Sequence, residues 1–293
     1  MRFNMGQLDA LEITVLAEDS VPYESRLSGQ HGISYLVEAF KNGHKVNVLV
    51  DVGQNPQGLL HNMEQLKVDP ASIDMVVLTH CHYDHTKGLA AVLSRIGKDN
   101  VPVVAHPSLF RLNFVTRPYL MHVGVMNGDQ PDEVVKNGGR LFLVSEPLEL
   151  MEGLITSGEI ERTTDFEEVG IPLYTLANGR IEADQMKDDL ALIANVAGKG
   201  LVIVSGCSHA GIVNICRQAI KLTGVEKIEG ILGGFHLVGS GPERISKTAS
   251  ALEDLRPAWI AAGHCTGFEA EVVLKNVLND RFHHLSSGNV YTV

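Results

Sequence analysis

The sequence predicts an α/β fold, because β-rich runs alternate with segments of helical apolar spacing in both halves and the chemistry-bearing residues gather where predicted strands end. With 293 residues, 44% of them hydrophobic, the chain is long enough for a core that needs no disulfide or structural metal to hold it. The first elements are strands at 11–19, 32–40 and 45–53, rich in Val, Ile, Leu and Tyr. Asn42 and Gly43 tolerate the positive φ of a tight turn, so the second and third strands are expected to pair antiparallel. Helical spacing follows over 56–66, then a near-continuous Val and Leu strand over 74–80, then a helix over 86–95.

Residues 106–170 break this rhythm, mixing aromatic and basic side chains with Gly-rich and acidic stretches, and are expected to form an inserted lid or substrate-facing segment. Strands at 188–196 and 201–207, joined by Ala197-Gly198-Lys199-Gly200, predict a second hairpin. Helix 210–222, strand 228–232, helix 242–255, strand 258–262 and helix 269–278 complete the chain. No short-period repeat, low-complexity tract or Pro/Ser linker divides it, so residues 1–293 are expected to be one domain.

A formal net charge of −11, with scattered Lys and Arg, argues against a nucleic-acid partner. No apolar run approaches the about 18–20 residues of a membrane span. Residues 1–10 lack a basic region followed by a long apolar stretch, and a cytoplasmic location is the expectation. Cys81, Cys207, Cys216 and Cys265 show no framework spacing and read as reduced thiols.

The thirteen histidines are the composition's hint of chemistry. His80, His82, Asp84 and His85 fall within one short segment at the end of a buried strand, and neutral imidazole and carboxylate are ligands for divalent transition metals. In an extended segment His80 and His82 project to the same side, while Asp84 and His85 follow as the chain turns into the next helix. One loop can therefore serve two cations.

These residues carry the His-x-His-x-Asp-His pattern, and the chain resembles the metallo-β-lactamase superfamily, which also has an Asp closing an earlier strand, here Asp51, and a late His, here His264. The resemblance implies a four-layer αβ/βα sandwich and two divalent transition metals, zinc first, with iron or manganese as alternatives. It assigns His80 and His82 to the first metal, and Asp84, His85 and His264 to the second. Asp51 would be a supporting carboxylate. The middle ligands depart from the common pattern: where many members have an upstream His and a strand ending Thr-Gly-Asp, this strand ends Ser205-Gly206-Cys207, and no His lies between His122 and His209. His209 is the preferred replacement. Asp188, Asp189 and Cys207 stand as alternatives, Cys207 either as thiolate ligand or as a buried free thiol.

The segments 30–38, 206–211, 233–237 and 263–267 resemble more closely a subfamily named for an archaeal methanopterin-biosynthesis enzyme, the 7,8-dihydropterin-6-yl-methyl-4-(β-D-ribofuranosyl)aminobenzene 5′-phosphate synthase. Two metals that activate water imply a hydrolase of a phosphate ester, lactone or related small molecule as the first reading. The alternative is a transferase joining a dihydropterin-methyl pyrophosphate to a ribofuranosylaminobenzene phosphate, and a metal-bound ligand sensor without turnover is a third. The partner in each case is a small molecule, phosphorylated or pterin-like. Asp84 and His236 are the candidate catalytic residues, with His236 beside Gly233 and Gly234 placed to exchange a proton. His31 is a candidate for substrate contact, and Arg111 and Arg117 are candidates to grip a phosphate or carboxylate.

Overall fold

The computed structural model describes residues 5–177 and 179–293, so residues 1–4 of the stretch read for a leader lie outside it. In the first half, β1 (Ala10–Ala17), β2 (Ser34–Lys41) and β3 (His44–Val50) form an antiparallel meander, with Lys41 opposite His44 across the Asn42-Gly43 turn. Helix α1 (Pro56–Gln65) starts on Asn55, whose side chain accepts the Gln57 and Gly58 amides, and on Pro56, whose fixed φ suits the first helical turn. It returns the chain to β4 (Met75–Val77), parallel to β3. Then come α2 (Tyr83–Thr86), α3 (Leu89–Ile96) and β5 (Val101–Ala105), the last parallel to β4.

A short hairpin, β6 (Asn113–Val115) and β7 (Met121–His122), precedes α4 (Pro131–Lys136) and β8 (Gly139–Leu143). The chain crosses over through β9 (Glu149–Met151) and β10 (Leu154–Thr156), and β11 (Tyr174–Ala177) and β12 (Arg180–Ala183) form a further hairpin. The second half is β13 (Ala191–Val196), β14 (Gly200–Ser205), α5 (Ile212–Thr223), β15 (Ile228–Gly234), α6 (Pro242–Asp254), β16 (Trp259–Gly263), α7 (Phe268–Leu278), β17 (Phe282–His284) and β18 (Val290–Thr292).

These strands make two seven-stranded sheets, β18-β1-β2-β3-β4-β5-β8 and β17-β16-β15-β14-β13-β10-β9, and a small sheet, β12-β11-β6-β7. Period-two alternation decides the layering. Leu49 and Val103 face α1, α3 and α4 on one side, while Val48, Val50 and Val104 face the second sheet. In β14, Val202 and Val204 face the first sheet and Ile203 faces α5, α6 and α7. Three apolar cores thus separate four layers, helix, sheet, sheet, helix, as expected, and both faces of the central strands are buried.

Three boundaries differ from the sequence reading. The strand expected over 74–80 leaves its ladder at Val77, and Tyr83–Thr86 is already helical, so the His-rich segment is the crossover between β4 and α2. Residues 106–170 are shared among all three sheets: β8 joins the first, β9 and β10 the second, and only β6 and β7 enter the small sheet, whose other strands lie beyond residue 170. Strand β18 pairs with β1 from the opposite chain end, a long-range pairing that local patterning does not encode.

Candidate metal centre

The parallel strands of both large sheets end along one edge, where open α/β folds place their sites. Asp51 follows β3, His80 follows β4, Cys207 and His209 follow β14, His236 follows β15, His264 follows β16 and Asp19 follows β1. Asp51, Ser208, His236 and His264 adopt left-handed backbone, with φ of 55°, 57°, 44° and 51°, at the turns that aim these side chains inward. Gly206 is needed where β14 meets the His-rich segment, since a Cβ there would collide with Thr79 Oγ1.

The first donor group is His80, His82 and His209. His82 Nδ1 lies 3.2 Å from His80 Nε2 and 3.2 Å from His209 Nε2. Two nitrogens on one tetrahedral zinc stand about 3.3 Å apart. The outer partners assign the tautomers. Asn113 Oδ1, 3.1 Å from His82 Nε2, accepts its proton and leaves Nδ1 bare. Thr79 Oγ1 donates to Asp51 Oδ2 at 2.7 Å, so the same hydroxyl, 3.1 Å from His80 Nδ1, accepts there and leaves His80 Nε2 bare. Burial first, then the surrounding imidazoles, holds His80 and His209 well below the ordinary histidine range. Burial also lowers His82. Lone pairs facing one another at this spacing fit a cation between them.

The second group is Asp84, His85, Cys207 and His264, whose ligand atoms lie within 4.8 Å of one another. Asp84 Oδ2 is 3.2 Å from His264 Nε2 and 3.6 Å from His85 Nε2, and Cys207 Sγ is 3.1 Å from His85 Nε2. Asp51 Oδ2 accepts from His85 Nδ1 at 2.7 Å, and Asp19 Oδ1 accepts from His264 Nδ1 at 2.9 Å, so each outer nitrogen is held by a carboxylate. Burial opposes charge on His264, but Cys265, Asp19 and Asp84 outweigh it and hold the imidazole well above its ordinary value. Burial likewise opposes charge on Asp84, yet His85 and His264 keep its carboxyl far below the usual range. Cys207 also lies within reach of His80 and His209, which places its sulfur between the two groups. Burial, then the adjacent Cys265 thiol, pushes Cys207 up.

The structure thus brings together His80, His82, Asp84, His85, Cys207, His209 and His264. His236 packs on His209 with ring centroids 4.2 Å apart, and its Nδ1 is buried without a partner among the described residues. His31 is half exposed at the rim, 3.4 Å from Asp84 Oδ2 and 3.2 Å from Asp19 Oδ2. Asp188 and Asp189 stay outside both groups. Asp188 Oδ2 accepts the Cys81 amide at 2.8 Å, and Asp189 Oδ2 accepts the Ala210 amide at 2.6 Å while burial pushes its carboxyl up to about 7. Arg117 is exposed between β6 and β7.

Arg111 is not free to grip an anion. Its guanidinium lies 2.6 Å from Asp184 Oδ2 and 2.8 Å from Asp188 Oδ2, and Asp184 also accepts from Asn113, the residue that orients His82. Replacing Arg111 by Met would leave two buried carboxylates uncompensated, and the expected loss of unfolding free energy is about 3–5 kcal/mol, measured by urea denaturation. An unchanged midpoint would contradict this supporting role. Sequence reasoning missed Asn113 and Asp19, because both act across long separations with no local spacing to signal them.

Among the described residues no helix is long and apolar enough to cross a membrane. A sequence model of the family described as the metallo-beta-lactamase superfamily matches residues 29–164. The chain is 41% identical, over 99% of its length and 99% of the relative's, to a Methanocaldococcus jannaschii protein named 7,8-dihydropterin-6-methyl-4-(beta-D-ribofuranosyl)-aminobenzene-5'-phosphate synthase. An uncharacterised protein of the same organism is 31% identical over 91% of this chain and 95% of its own. A solved structure described as a metal-dependent hydrolase of the beta-lactamase superfamily superposes with a TM-score of 0.79 at 24% identity, covering 97% of this chain and 99% of the other. A diphosphatase from the PhnP family gives 0.54 at 15% identity over 98% of each chain. Those two likenesses speak for the fold, and the full-length relatives speak for descent. With the family model over the His-x-His-x-Asp-His segment and full-length relatives beside it, the chain belongs to the metallo-β-lactamase superfamily.

Proposed function

We propose that this chain is a two-metal transferase that joins the methyl carbon of a dihydropterin-methyl pyrophosphate to the amine of 4-(β-D-ribofuranosyl)aminobenzene 5′-phosphate. The observation that carries this reading is the 41% identity with the synthase along the whole of both chains. The two donor groups support it. In the reaction a C–N bond forms, the C–O bond to pyrophosphate breaks, and the amine gives up one proton. Two divalent cations would supply the positive charge that stabilises the departing pyrophosphate. The imidazole and thiol donors favour zinc, with iron the next choice.

The protein's own residues do the rest. Asp51, Thr79, Asn113 and Asp19 fix the orientation of the imidazoles. His236, with its buried and unpartnered Nδ1 beside His209, is placed to exchange a proton with the reacting groups. His31 stands at the rim, where substrate enters. The small sheet that carries Asn113 serves as the substrate-facing layer of a single domain. A reduced compartment, the cytoplasm, suits a site holding the Cys207 thiol.

Hydrolysis, the first expectation from the motif, would use the same donors with water in place of the amine. The deciding experiment supplies metal-loaded protein with the pterin pyrophosphate, with and without the arylamine acceptor, beside a panel of phosphodiesters and lactones. Acceptor-dependent coupled product is expected. Pyrophosphate release that is indifferent to acceptor would overturn transfer in favour of hydrolysis, and metal binding with no turnover of any substrate would point to a sensor.

A further inference from the structure

Behind His209 the interior carries polar atoms that nothing in the fold uses. His209 Nδ1, His236 Nδ1, Arg244 Nε and Thr248 Oγ1 are all buried and without a hydrogen-bond partner among the described residues. Arg244 lies in the first turn of α6 and Thr248 one turn later, so the two share a helix face. Gly170, in the loop between β10 and β11, closes this corner. A Cβ there would stand 3.2 Å from His236 Nδ1 and 3.3 Å from Arg244 Nη1, so both nitrogens border one spot that only a glycine covers.

Glu167 and Glu168 lie near enough to favour charge on Arg244, yet neither makes a close ion pair with it. Arg111 and Arg281 are paired with carboxylates, whereas Arg244 and Arg162 form no such pair among the described residues. Arg162 donates to the Gln185 carbonyl at 2.6 Å and is near enough that its charge is felt by both His209 and Arg244. Glu167, the acid packed closest to this corner, is committed elsewhere: it accepts the Val213 and Asn214 amides, both at 2.9 Å, at the start of α5. Two guanidiniums and an imidazole beside a metal-ligand group suit a polyvalent phosphate, which takes forked hydrogen bonds and positive charge together. A neutral lactone or amide would leave them unused.

We propose that Arg244 and Arg162, together with His236, form a subsite for a phosphate or pyrophosphate group of the substrate, beside the His80–His82–His209 group. The assignment deepens the transferase reading, in which both reactants carry phosphate, but its test needs no turnover. Isothermal titration calorimetry on the metal-loaded full chain uses two probes, inorganic pyrophosphate and ribose 5-phosphate, with metal content checked after each titration. Arg244→Gln is expected to weaken binding of at least one probe by about tenfold to a hundredfold, the range for a lost charge-assisted hydrogen bond, with metal content unchanged. The probe affected identifies whether the donor's pyrophosphate or the acceptor's phosphate is held. Arg244→Lys, which keeps the charge but lacks the fork, should fall between, and it also serves if the Gln variant folds poorly. Arg95→Gln, an exposed change on α3, should leave both affinities alone. Unchanged affinities in both Arg244→Gln and Arg162→Gln, or a wild type that binds neither probe, would overturn the subsite. Absence of transfer with these affinities intact would count against the transferase reading alone.

Discussion

Replacing His264 or His209 by Ala is expected to leave the chain folded, strip one of the two metal ions proposed for it and lower turnover by more than the about 10–100-fold that loss of an outer partner costs a metal site. The two variants act on different ions. His264 belongs with Asp84, His85 and Cys207, while His209 Nε2 faces His82 Nδ1 at 3.2 Å in the other group. Metal analysis of protein purified without chelator should give close to two ions per wild-type chain and close to one in each variant. The fold should survive because three apolar cores lie around the site without depending on either imidazole. His209→Ala with full metal content and full activity would remove His209 from the ligand set and return the role to Cys207.

The second large effect is expected at Asp51. Its carboxylate accepts three protons, from the Thr79 amide at 2.8 Å, the Thr79 hydroxyl at 2.7 Å and His85 Nδ1 at 2.7 Å. Asn is nearly isosteric but has one acceptor oxygen and one donating nitrogen. Asp51→Asn therefore either abandons a Thr79 proton or turns its amide toward His85 Nδ1, which drives the imidazole proton to Nε2, where a cation would sit. Affinity for the ion at the Asp84–His85–His264 group should fall about 10–100-fold while the ion at His80, His82 and His209 is held more tightly. Competition against a fluorescent chelator resolves the two ions. Equal affinities in wild type and Asp51→Asn would mean that the carboxylate serves the turn after β3 and not the metal site.

The candidate metal motif was legible because its residues crowd into one segment. His80, His82, Asp84 and His85 announce themselves by spacing alone, and period-two and helical patterns predicted most of the strands and helices that bring them to a sheet edge. Asp19 and Asn113 were not legible, because each reaches its histidine through the tertiary fold from a position with no distinguishing local pattern. Arg111 misled for the same reason: an arginine in a mixed segment looks available, and only the fold shows Asp184 and Asp188 already holding it. Residues 106–170, expected as one insert, contribute strands to all three sheets, because irregular composition marks where a chain changes partners as readily as where a lid begins.

Local periodicity and one dense motif were thus enough for the layered α/β class, the candidate metal-binding segment and the late histidine. The tertiary structure decided which atoms face one another: His209 on the first group and Cys207 between the groups, Asp188 and Asp189 outside them, and Arg244 beside His236 with no close ion pair among the described residues. The physical reason is that a ligand's identity is covalent and local, whereas its partner, its tautomer and its charge are set by whatever the packing of two sheets brings within hydrogen-bonding distance.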